Sequence, residues 1–192
     1  MIDLSIIIVN YNVKEFLLNL LDSIRIASIN ISVETIVVDN ASDDGSVEIL
    51  RNRFPGVKLI ANKINVGFGA ANNQAMKIAG GKYFMLINPD TIVREDTFIK
   101  MIDFFEHSPQ AGIAGCKVLN PDGTLQLACR RSFPGPWVSF TKVTGLSKLF
   151  AKSRIFARYN LTYLNENETY DVDAVSGAFL MLRKDVYEKV GG

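Results

Sequence analysis

Three short apolar runs in this chain each lead into a cluster of asparagine and aspartate residues. Ser5 to Val9 is followed by Asn10-Tyr11-Asn12, Val33 to Val38 by Asp39-Asn40, and Tyr83 to Ile87 by Asn88-Pro89-Asp90. Apolar runs without polar alternation are typical of central parallel strands that are covered on both faces. Because parallel strands end at one edge of a sheet, the three polar clusters are predicted to converge where ligands bind in α/β folds.

Helical periodicity fills the intervals between these runs. Apolar residues recur at helical spacing from Phe16 to Ile24 and from Phe68 to Ile78, and a further helix precedes a strand at Val57 to Ala61. Thr97 to His107 has the pattern of another amphipathic helix. Strands that alternate with helices predict an α/β fold with a mostly parallel, right-handed sheet.

The second half of the chain has a different pattern. Strands predicted at Ile113 to Val118 and Leu125 to Cys129 flank the turn sequence Asn120-Pro121-Asp122-Gly123, so we expect a hairpin that extends the same sheet. The last part predicts two strands and a short helix, at Val172–Val175, Phe179–Leu182 and Lys184–Val190.

Composition narrows the class of protein. A chain of 192 residues, 48% of them apolar, can bury the core of a single domain, and a net charge of +1 argues against a general nucleic-acid binder. No apolar run reaches the roughly 18 residues of a membrane span and the start lacks a signal region, so we expect a cytoplasmic protein with at most peripheral contact at the inner membrane face. Cys116 and Cys129 are expected to be free, packed thiols.

The strand ends carry the residue types of a nucleotide site. Asp39 can accept hydrogen bonds from a base or a ribose, and Tyr11 offers an aromatic face for stacking. Asp90 is predicted to bind Mg²⁺ or Mn²⁺, which take oxygen ligands and bridge protein carboxylates to substrate phosphates. The alternative for Asp39 and Asp43 is that each caps the following helix, and the alternative for Asp90 is a helix or turn cap after Pro89.

Two other features have limited roles. His107 is the only histidine and no cysteine pair has ligand spacing, so zinc is not expected. The segment from Gly67 to Asn72 nearly matches the glycine fingerprint of dinucleotide-binding folds, but it follows the third predicted strand and lacks the third small residue. We interpret it as a loop whose glycines let the backbone approach a ligand at the start of a helix.

A basic and aromatic segment follows the predicted hairpin. From Gly123 to Asn165 there is no acidic residue, while seven basic residues alternate with aromatic ones and leave the rest of the chain at −6. The basic residues are Arg130, Arg131, Lys142, Lys148, Lys152, Arg154 and Arg158. One interpretation is an acceptor-side lid whose cations meet a lipid-linked diphosphate or an anionic membrane face. The other is a solvated helix pair with its aromatic residues in the core.

Five segments, in this order along the chain, resemble the motifs of family 2 glycosyltransferases with the GT-A fold. They are Ser5–Asn12, Val38–Ser46, Asn65–Asn73, Asn88–Asp90 and Ser176–Lys184. Asn88-Pro89-Asp90 stands where the family has its DxD metal motif, with Asn88 in place of the first carboxylate, as in the rhamnosyltransferase-like branch. Arg130-Arg131-Ser132-Phe133-Pro134 followed by Trp137 also resembles that branch.

The resemblance implies a three-layer GT-A domain over residues 1–192, with a nucleotide-sugar-binding half at 1–118 and the start of an acceptor-binding half at 119–192. The implied reaction is inverting transfer from dTDP-rhamnose or a UDP-sugar to a saccharide or lipid-linked acceptor in cell-surface polysaccharide synthesis. The implied nucleotide-binding residues are Asn10, Tyr11, Asn12, Asp39, Asn40, Asp43, Gly67 and Asn72. Asp90, with Asn88 adjacent, is the implied metal ligand, and the acceptor-side residues are Arg131, Trp137, Ser176 and Gly177.

The family's general base is an acidic residue that follows a segment like Lys189-Val190-Gly191-Gly192. We therefore expect the chain to be truncated within its acceptor site, with the base beyond Gly192, and to bind donor nucleotide but to transfer sugar poorly. Asp171 and Asp173 are the remaining carboxylates near this end. Two alternatives stay open. One is a nucleotidyltransferase, which would need a basic glycine-rich loop after the first strand, and the other is a non-catalytic nucleotide-binding or assembly module.

Overall fold

Strands and helices alternate through the first part of the chain, as predicted, in a computed structural model that describes residues 2–191. The elements there are β1 Leu4–Asn10, α1 Lys14–Ala27, β2 Val33–Asp39, α2 Ser46–Arg53, β3 Lys58–Ala61, α3 Phe68–Met76, β4 Tyr83–Ile87 and α4 Thr97–His107. The later elements are β5 Ile113–Ala114, β6 Arg130–Arg131, α5 Pro136–Val143, α6 Leu146–Leu149, β7 Ala174–Val175, β8 Phe179–Arg183 and α7 Lys184–Val190.

The main sheet has the strand order β3-β2-β1-β4-β8-β5 and is mostly parallel. β1 pairs in parallel with both β2 and β4, β2 pairs in parallel with β3, and β5 pairs antiparallel with β8. Asn10 and Asp39 are partners in the register of β1 and β2. The polar residues that end these two strands are thereby placed side by side.

The core lies on both faces of β1, whose seven residues are all buried. Ile7 packs in a cluster with Ile36 and Phe84 of the neighbouring strands and with Ala71 and Ala75 of α3. Two small alanines on the inner face of α3 leave room for the branched side chains of the strands. Burial of each of these isoleucine side chains stabilises the folded state by about 1.5–3 kcal/mol. The packed sheet is therefore a stable scaffold for the loops at its edge.

The predicted hairpin forms only at its tip. The backbone N–H of Gly123 donates to the backbone O of Asn120 at 2.9 Å and closes the turn. Leu119 and Leu125 form an antiparallel bridge, flanked by backbone hydrogen bonds from Asn120 to Thr124 at 2.8 Å and from Gln126 to Val118 at 2.9 Å. Residues 127–129 form a 3₁₀ helix, closed by the N–H of Cys129 to the O of Gln126 at 3.0 Å. This tight turn takes the backbone out of the extended conformation, so a second ladder strand cannot continue.

By compactness the chain divides into two units. The first contains the residues up to Ala114 and those from Leu180 onward, and the second contains Gly115–Phe179. The second unit holds α5, α6 and a two-stranded antiparallel sheet of β6 and β7. None of the helices in residues 2–191 has the length and apolar character that crossing a bilayer requires.

Both cysteines are free, as predicted, and both lie in the second unit. Burial raises the pKa of the Cys116 thiol to about 12, with a further contribution from Cys129. Cys129 is itself buried. A thiol with such a high pKa is almost entirely protonated near neutral pH and is therefore a poor nucleophile.

Candidate functional site

The carboxyl ends of β1, β2 and β4 meet at one edge of the sheet. Asn10 and Asp39 end β1 and β2, and Asn88 follows the last residue of β4. A cleft of about 430 Å³ opens at this edge. Its lining residues are Val9, Tyr11, Val13, Phe16, Asn40, Asn65, Phe68, Asn88, Pro89 and Asp90. The volume and the mixture of apolar and polar side chains are those of a small-molecule site.

Asp39 is buried and does not line the cleft. The residue is 1% exposed, its Oδ2 accepts a hydrogen bond from Asn10 Nδ2 at 2.8 Å, and its Oδ1 accepts one from the backbone N–H of Ser42 at 2.9 Å. Asn10 Nδ2 also donates to Ser42 Oγ at 3.1 Å. A buried carboxylate with both oxygens bonded holds the strand ends and the following loop in place. A contact between Asp39 and a base stays a prediction.

Further hydrogen bonds join the loop after β1 to the loop after β2. Asn12 has a left-handed backbone conformation, with φ 54°, which asparagine adopts more readily than most residues. Its backbone N–H donates to Ser42 Oγ at 3.0 Å, and its side-chain Oδ1 accepts from the backbone N–H of Asp43 at 2.9 Å. Asn12 therefore shapes the loop, while the side chain of Asp43 stays exposed.

Asp44 belongs to the segment Asp43-Asp44-Gly45-Ser46, whose residue types predict the start of a helix, and it holds the start of α2. Its Oδ1 accepts from the backbone N–H of Ser46 at 3.0 Å, and its Oδ2 accepts from the backbone N–H of Lys14 at 2.8 Å. Burial acts to raise the pKa of Asp44, but hydrogen bonds from Ser46 and Lys14 outweigh it and hold the pKa below its ordinary value. Asp44, one position before the N-cap residue Gly45, thus holds the first N–H of α2, and neither Asp39 nor Asp43 caps this helix.

Asn40 connects the end of β2 to the loop before α3. Its Nδ2 donates to Asn65 Oδ1 at 3.0 Å, and its Oδ1 accepts from Asn62 Nδ2 at 3.0 Å and from the backbone N–H of Val66 at 3.3 Å. Gly67, directly before α3, has φ 85°, a conformation that favours glycine. Because Asn40 and Asn65 also line the cleft, the amides that hold this loop face the ligand space.

Asp90 is an exposed carboxylate in the turn that follows β4. Backbone atoms close this turn, since the N–H of Thr91 donates to the O of Asn88 at 3.2 Å, so the carboxylate is not needed as a turn cap. Across residues 2–191 it enters none of the ion pairs. It lines the cleft beside Asn88 and is open to a ligand.

The donor set around Asp90 decides which kind of metal site would fit. Within the described part of the chain, no group of three or more His, Cys, Asp or Glu side chains could hold a metal ion. One carboxylate next to an amide oxygen fits Mg²⁺ or Mn²⁺ held largely by substrate phosphates and water. The same set does not fit a cation enclosed by protein ligands.

Three aromatic side chains give the cleft an apolar wall. Tyr11, Phe16 and Phe68 line it, and each is about half exposed. Phe16 and Phe68 belong to the apolar stripes that predict α1 and α3, but they lie in the first turn of each helix and face the cleft. Exposed aromatic faces at a polar strand edge offer a stacking surface for a planar ring.

Of the predicted nucleotide-binding residues, Tyr11 and Asn40 line the cleft. The others lie behind it, at the ends of β1 and β2, in the loops that follow these strands, or at the start and within α3. Asn72, for example, is buried, and its Nδ2 donates to the backbone O of Phe68 at 2.9 Å. Ser42 and Asn65, which receive hydrogen bonds from the site's amides, were not predicted as site residues. The sequence indicates a role for these two residues only in that they lie inside two of the segments that resemble family motifs.

The residues predicted for the acceptor side lie in the second unit, where their polar groups are bonded locally. Arg131 Nε donates to the backbone O of Ala128 at 3.1 Å, and Trp137 Nε1 donates to that of Ile155 at 3.1 Å. Ser176 Oγ accepts from the backbone N–H of Ala178 at 3.2 Å, and Gly177 is exposed. These bonds stabilise the unit, and contact with an acceptor stays a prediction.

Similarity at the sequence level extends over nearly the whole chain. Residues 5–191 match the profile of glycosyl transferase family 2. The chain is also 24% identical over 200 residues to the N-acetylglucosaminyl-diphospho-decaprenol L-rhamnosyltransferase of Mycobacterium tuberculosis. That match covers 98% of this chain and 64% of the mycobacterial protein.

Two solved structures share the fold. The mannosyltransferase PcManGT from Pyrobaculum calidifontis, in complex with GDP-Man and Mn²⁺, has a TM-score of 0.67 at 19% identity, over 98% of this chain and 46% of that one. S. aureus TarS 1-349 in complex with UDP has a TM-score of 0.62 at 18% identity. This match covers 98% of this chain and 48% of the TarS chain. The chain therefore spans between 46% and 64% of the length of these proteins. Its fold is the GT-A fold, and the protein belongs to glycosyl transferase family 2.

Proposed function

We propose that the protein is a glycosyltransferase whose cleft binds the nucleotide diphosphate of a sugar donor. The observation that carries this proposal is one cleft, at the strand ends, that combines half-exposed aromatic side chains with the exposed carboxylate of Asp90. A nucleoside needs a stacking surface and hydrogen-bonding partners. A diphosphate needs positive charge, which a cation on a carboxylate can provide.

Each part of the donor has a counterpart among the lining residues. Tyr11, Phe16 and Phe68 offer aromatic faces to the base, and the amides of Asn40 and Asn65 offer donors and acceptors to the nucleoside. Asp90, with Asn88 beside it, would hold Mg²⁺ or Mn²⁺. When bound, such an ion stabilises the negative charge that develops on the departing diphosphate. The Mn²⁺ of the PcManGT complex supports this assignment.

The donor is proposed to be dTDP-rhamnose, with a UDP-sugar as the second choice. The mycobacterial relative, named as an L-rhamnosyltransferase, supports the first, and the UDP complex of TarS supports the second. The acceptor is proposed to be a saccharide or a lipid-linked saccharide of a cell-surface polysaccharide. The diphospho-decaprenol in the name of that relative supports a lipid-linked acceptor.

The proposed reaction is a single displacement at the anomeric carbon. The acceptor oxygen forms the new glycosidic bond while the bond from the anomeric carbon to the diphosphate oxygen breaks on the opposite face, which inverts the configuration. The nucleoside diphosphate leaves, and a general base takes the acceptor proton. Asp173 is not assigned this role, because its Oδ2 accepts a hydrogen bond from the backbone N–H of Phe133 at 3.0 Å.

Calorimetric titration with dTDP, UDP, GDP and NAD, each with Mn²⁺ and with EDTA, tests the donor site. We expect dTDP or UDP to bind in the presence of Mn²⁺ and to bind at least about tenfold more weakly with EDTA or after Asp90→Ala. Glu95→Ala is the matched control, since Glu95 is an exposed carboxylate a few positions after Asp90 in the chain and does not line the cleft. Absence of binding, or binding that Asp90→Ala leaves unchanged, would contradict the proposal.

A further inference from the structure

Helix α5 presents apolar side chains to solvent. Trp137, Phe140 and Val143 are 48%, 51% and 86% exposed, whereas Val138 and Thr141 are buried. The exposed residues are spaced by three positions and so lie along one face of the helix. A surface helix normally places its polar residues outward, so the outer face of α5 has the wrong polarity for contact with water alone.

The apolar surface continues beyond α5. Phe150, Leu149 and Ile155 are exposed, and ring contacts join these segments, with centroids 5.8 Å apart for Trp137 and Phe140 and 5.2 Å apart for Phe150 and Phe156. Trp137 and Phe156 lie 5.9 Å apart and connect the two pairs. The exposed members define the apolar patch: Trp137, Phe140, Val143, Leu149, Phe150 and Ile155.

Basic residues alternate in the sequence with the residues of the apolar patch, and no acidic side chain pairs with them in the described part of the chain. Lys142, Lys148, Lys152, Arg154 and Arg158 are exposed, and the stretch from Gly123 to Asn165 has no acidic residue. Across residues 2–191, none of these five cations forms an ion pair. Lys142 Nζ lies 5.0 Å from the centre of the Tyr159 ring, a cation–π contact that leaves its charge in place.

Apolar side chains mixed with unpaired cations fit one kind of partner best. A second copy of the chain would bring five like charges against five, which is unfavourable. The surface of an anionic membrane offers negative headgroups to the cations and acyl chains to the aromatic residues, which prefer the interface. The helices involved have eight and four residues, so they would lie on the surface.

We infer that the apolar patch and its cations dock the protein onto an anionic membrane surface, with Trp137 and Phe140 inserted at the level of the headgroups. Docking does not depend on sugar transfer or on nucleotide binding. If the proposed lipid-linked acceptor is correct, the same surface would bring the protein to the membrane that holds it.

The only tryptophan of the chain, Trp137, reports directly on this surface. The 192-residue chain is mixed with vesicles of phosphatidylcholine, with or without phosphatidylglycerol, and without donor or acceptor. We expect a blue shift of the Trp137 emission, quenching by brominated acyl chains and co-sedimentation, all confined to the anionic vesicles and reversed by salt. No shift and no sedimentation with anionic vesicles at low ionic strength would overturn the inference.

Paired variants separate the contribution of the cations to membrane binding from that of the apolar side chains. Lys148→Glu with Lys152→Glu is expected to weaken vesicle binding at least about 25-fold, since each cation near an anionic surface accounts for about a fivefold gain. Phe140→Ser with Val143→Ser, which keeps Trp137, is expected to abolish the blue shift. The controls are Arg51→Glu with Lys77→Glu, which changes the net charge equally in the first unit, and Ile29→Ser, which removes an exposed apolar residue there.

The inference is overturned if the controls weaken binding as much as the variants of the patch. It is also overturned if the Trp137 emission shifts with protein concentration in the absence of lipid, because a second copy would then cover the patch. Circular dichroism of every variant shows whether it is folded, and a variant that loses its fold is replaced by the single changes Lys152→Glu or Val143→Ser.

Discussion

Asn10 Nδ2 and Asp39 Oδ2 lie 2.8 Å apart where β1 and β2 end, and they join two residues separated by 29 positions in the chain. Both residues are buried, and they are partners in the parallel register. Through Ser42, which bonds to both, the pair also holds the loop that leads toward α2. The edge of the cleft therefore depends on a side-chain contact in addition to the strand ladder.

Asp39→Ala is expected to lower the free energy of unfolding by about 1–3 kcal/mol, because the buried Asn10 amide and the N–H of Ser42 lose their acceptor. Urea denaturation measures the change. Asp43→Ala is the control, and since the Asp43 side chain is exposed we expect a change within about 0.5 kcal/mol. Equal losses in the two variants would contradict the positioning role of Asp39.

Phe16→Ala should separate ligand binding from folding. Phe16 is more than half exposed and lines the cleft, so truncation removes little buried area and should change stability by about 0.5 kcal/mol or less. Loss of an aromatic face beneath a base is expected to weaken nucleotide binding by about 1–3 kcal/mol, measured by calorimetry. Ile29→Ala, at another exposed apolar position, should leave binding unchanged. An unaltered affinity in Phe16→Ala would exclude stacking on this ring.

The order of strands and helices in the first unit could be predicted because burial leaves a periodic signal. Every residue of β1 is buried, so its sequence is apolar without alternation. The hairpin prediction was right only for the turn and the pairs next to it, because Asn120 to Gly123 specifies a turn and not the length of the strands. Pairing farther from the turn is not specified by the turn sequence, and it ends where residues 127–129 form a 3₁₀ helix.

Prediction of the candidate site succeeded for the strand ends and was incomplete for the loops. The geometry of parallel strands predicts that the polar residues after β1, β2 and β4 converge. Hydrogen bonds such as that from Asn40 to Asn65 have no periodicity, and Phe16 has the pattern of a core residue. Tertiary packing decides which side of the first turn of a helix faces a cleft. The spacing of apolar residues in the sequence does not encode this orientation.

Asn40→Ala is expected to loosen the loop before α3. The buried Asn40 side chain bonds to Asn65, to Asn62 and to the backbone of Val66 and Gly67, and alanine removes all four hydrogen bonds. We expect the Val66 amide to exchange its hydrogen at least about tenfold faster, which corresponds to about 1.4 kcal/mol of local stability. Asn19→Ala, at an exposed position of α1, serves as the control. Unchanged exchange at Val66 would show that the backbone alone holds the loop.

A second buried carboxylate, Glu34, joins three strands. Glu34 Oε1 accepts from Ser5 Oγ at 2.5 Å and from the backbone N–H of Gly80 at 2.5 Å, and Oε2 pairs with Lys58 Nζ at 2.6 Å. Ser5 Oγ in turn accepts from the N–H of Gly81 at 2.9 Å. A Cβ at Gly81 would lie 2.6 Å from the backbone N of Ser5, so glycine is required there. The network ties β1, β2 and β3 to the segment that precedes β4.

This network makes stability depend on pH. Burial acts to raise the pKa of Glu34, but hydrogen bonds from Lys58, Ser5 and Gly80 outweigh it, so the pKa of the folded state lies below the ordinary value of 4.5. Such a carboxylate stabilises the fold fully above its unfolded pKa, and this contribution is lost as the pH falls through the folded pKa. In urea titrations from about pH 6 to about pH 3, Glu34→Gln should therefore lose less stability on acidification than the unsubstituted chain. Glu48→Gln, at an exposed position of α2, should follow the unsubstituted chain, and identical acid losses in all three proteins would refute the lowered pKa of Glu34.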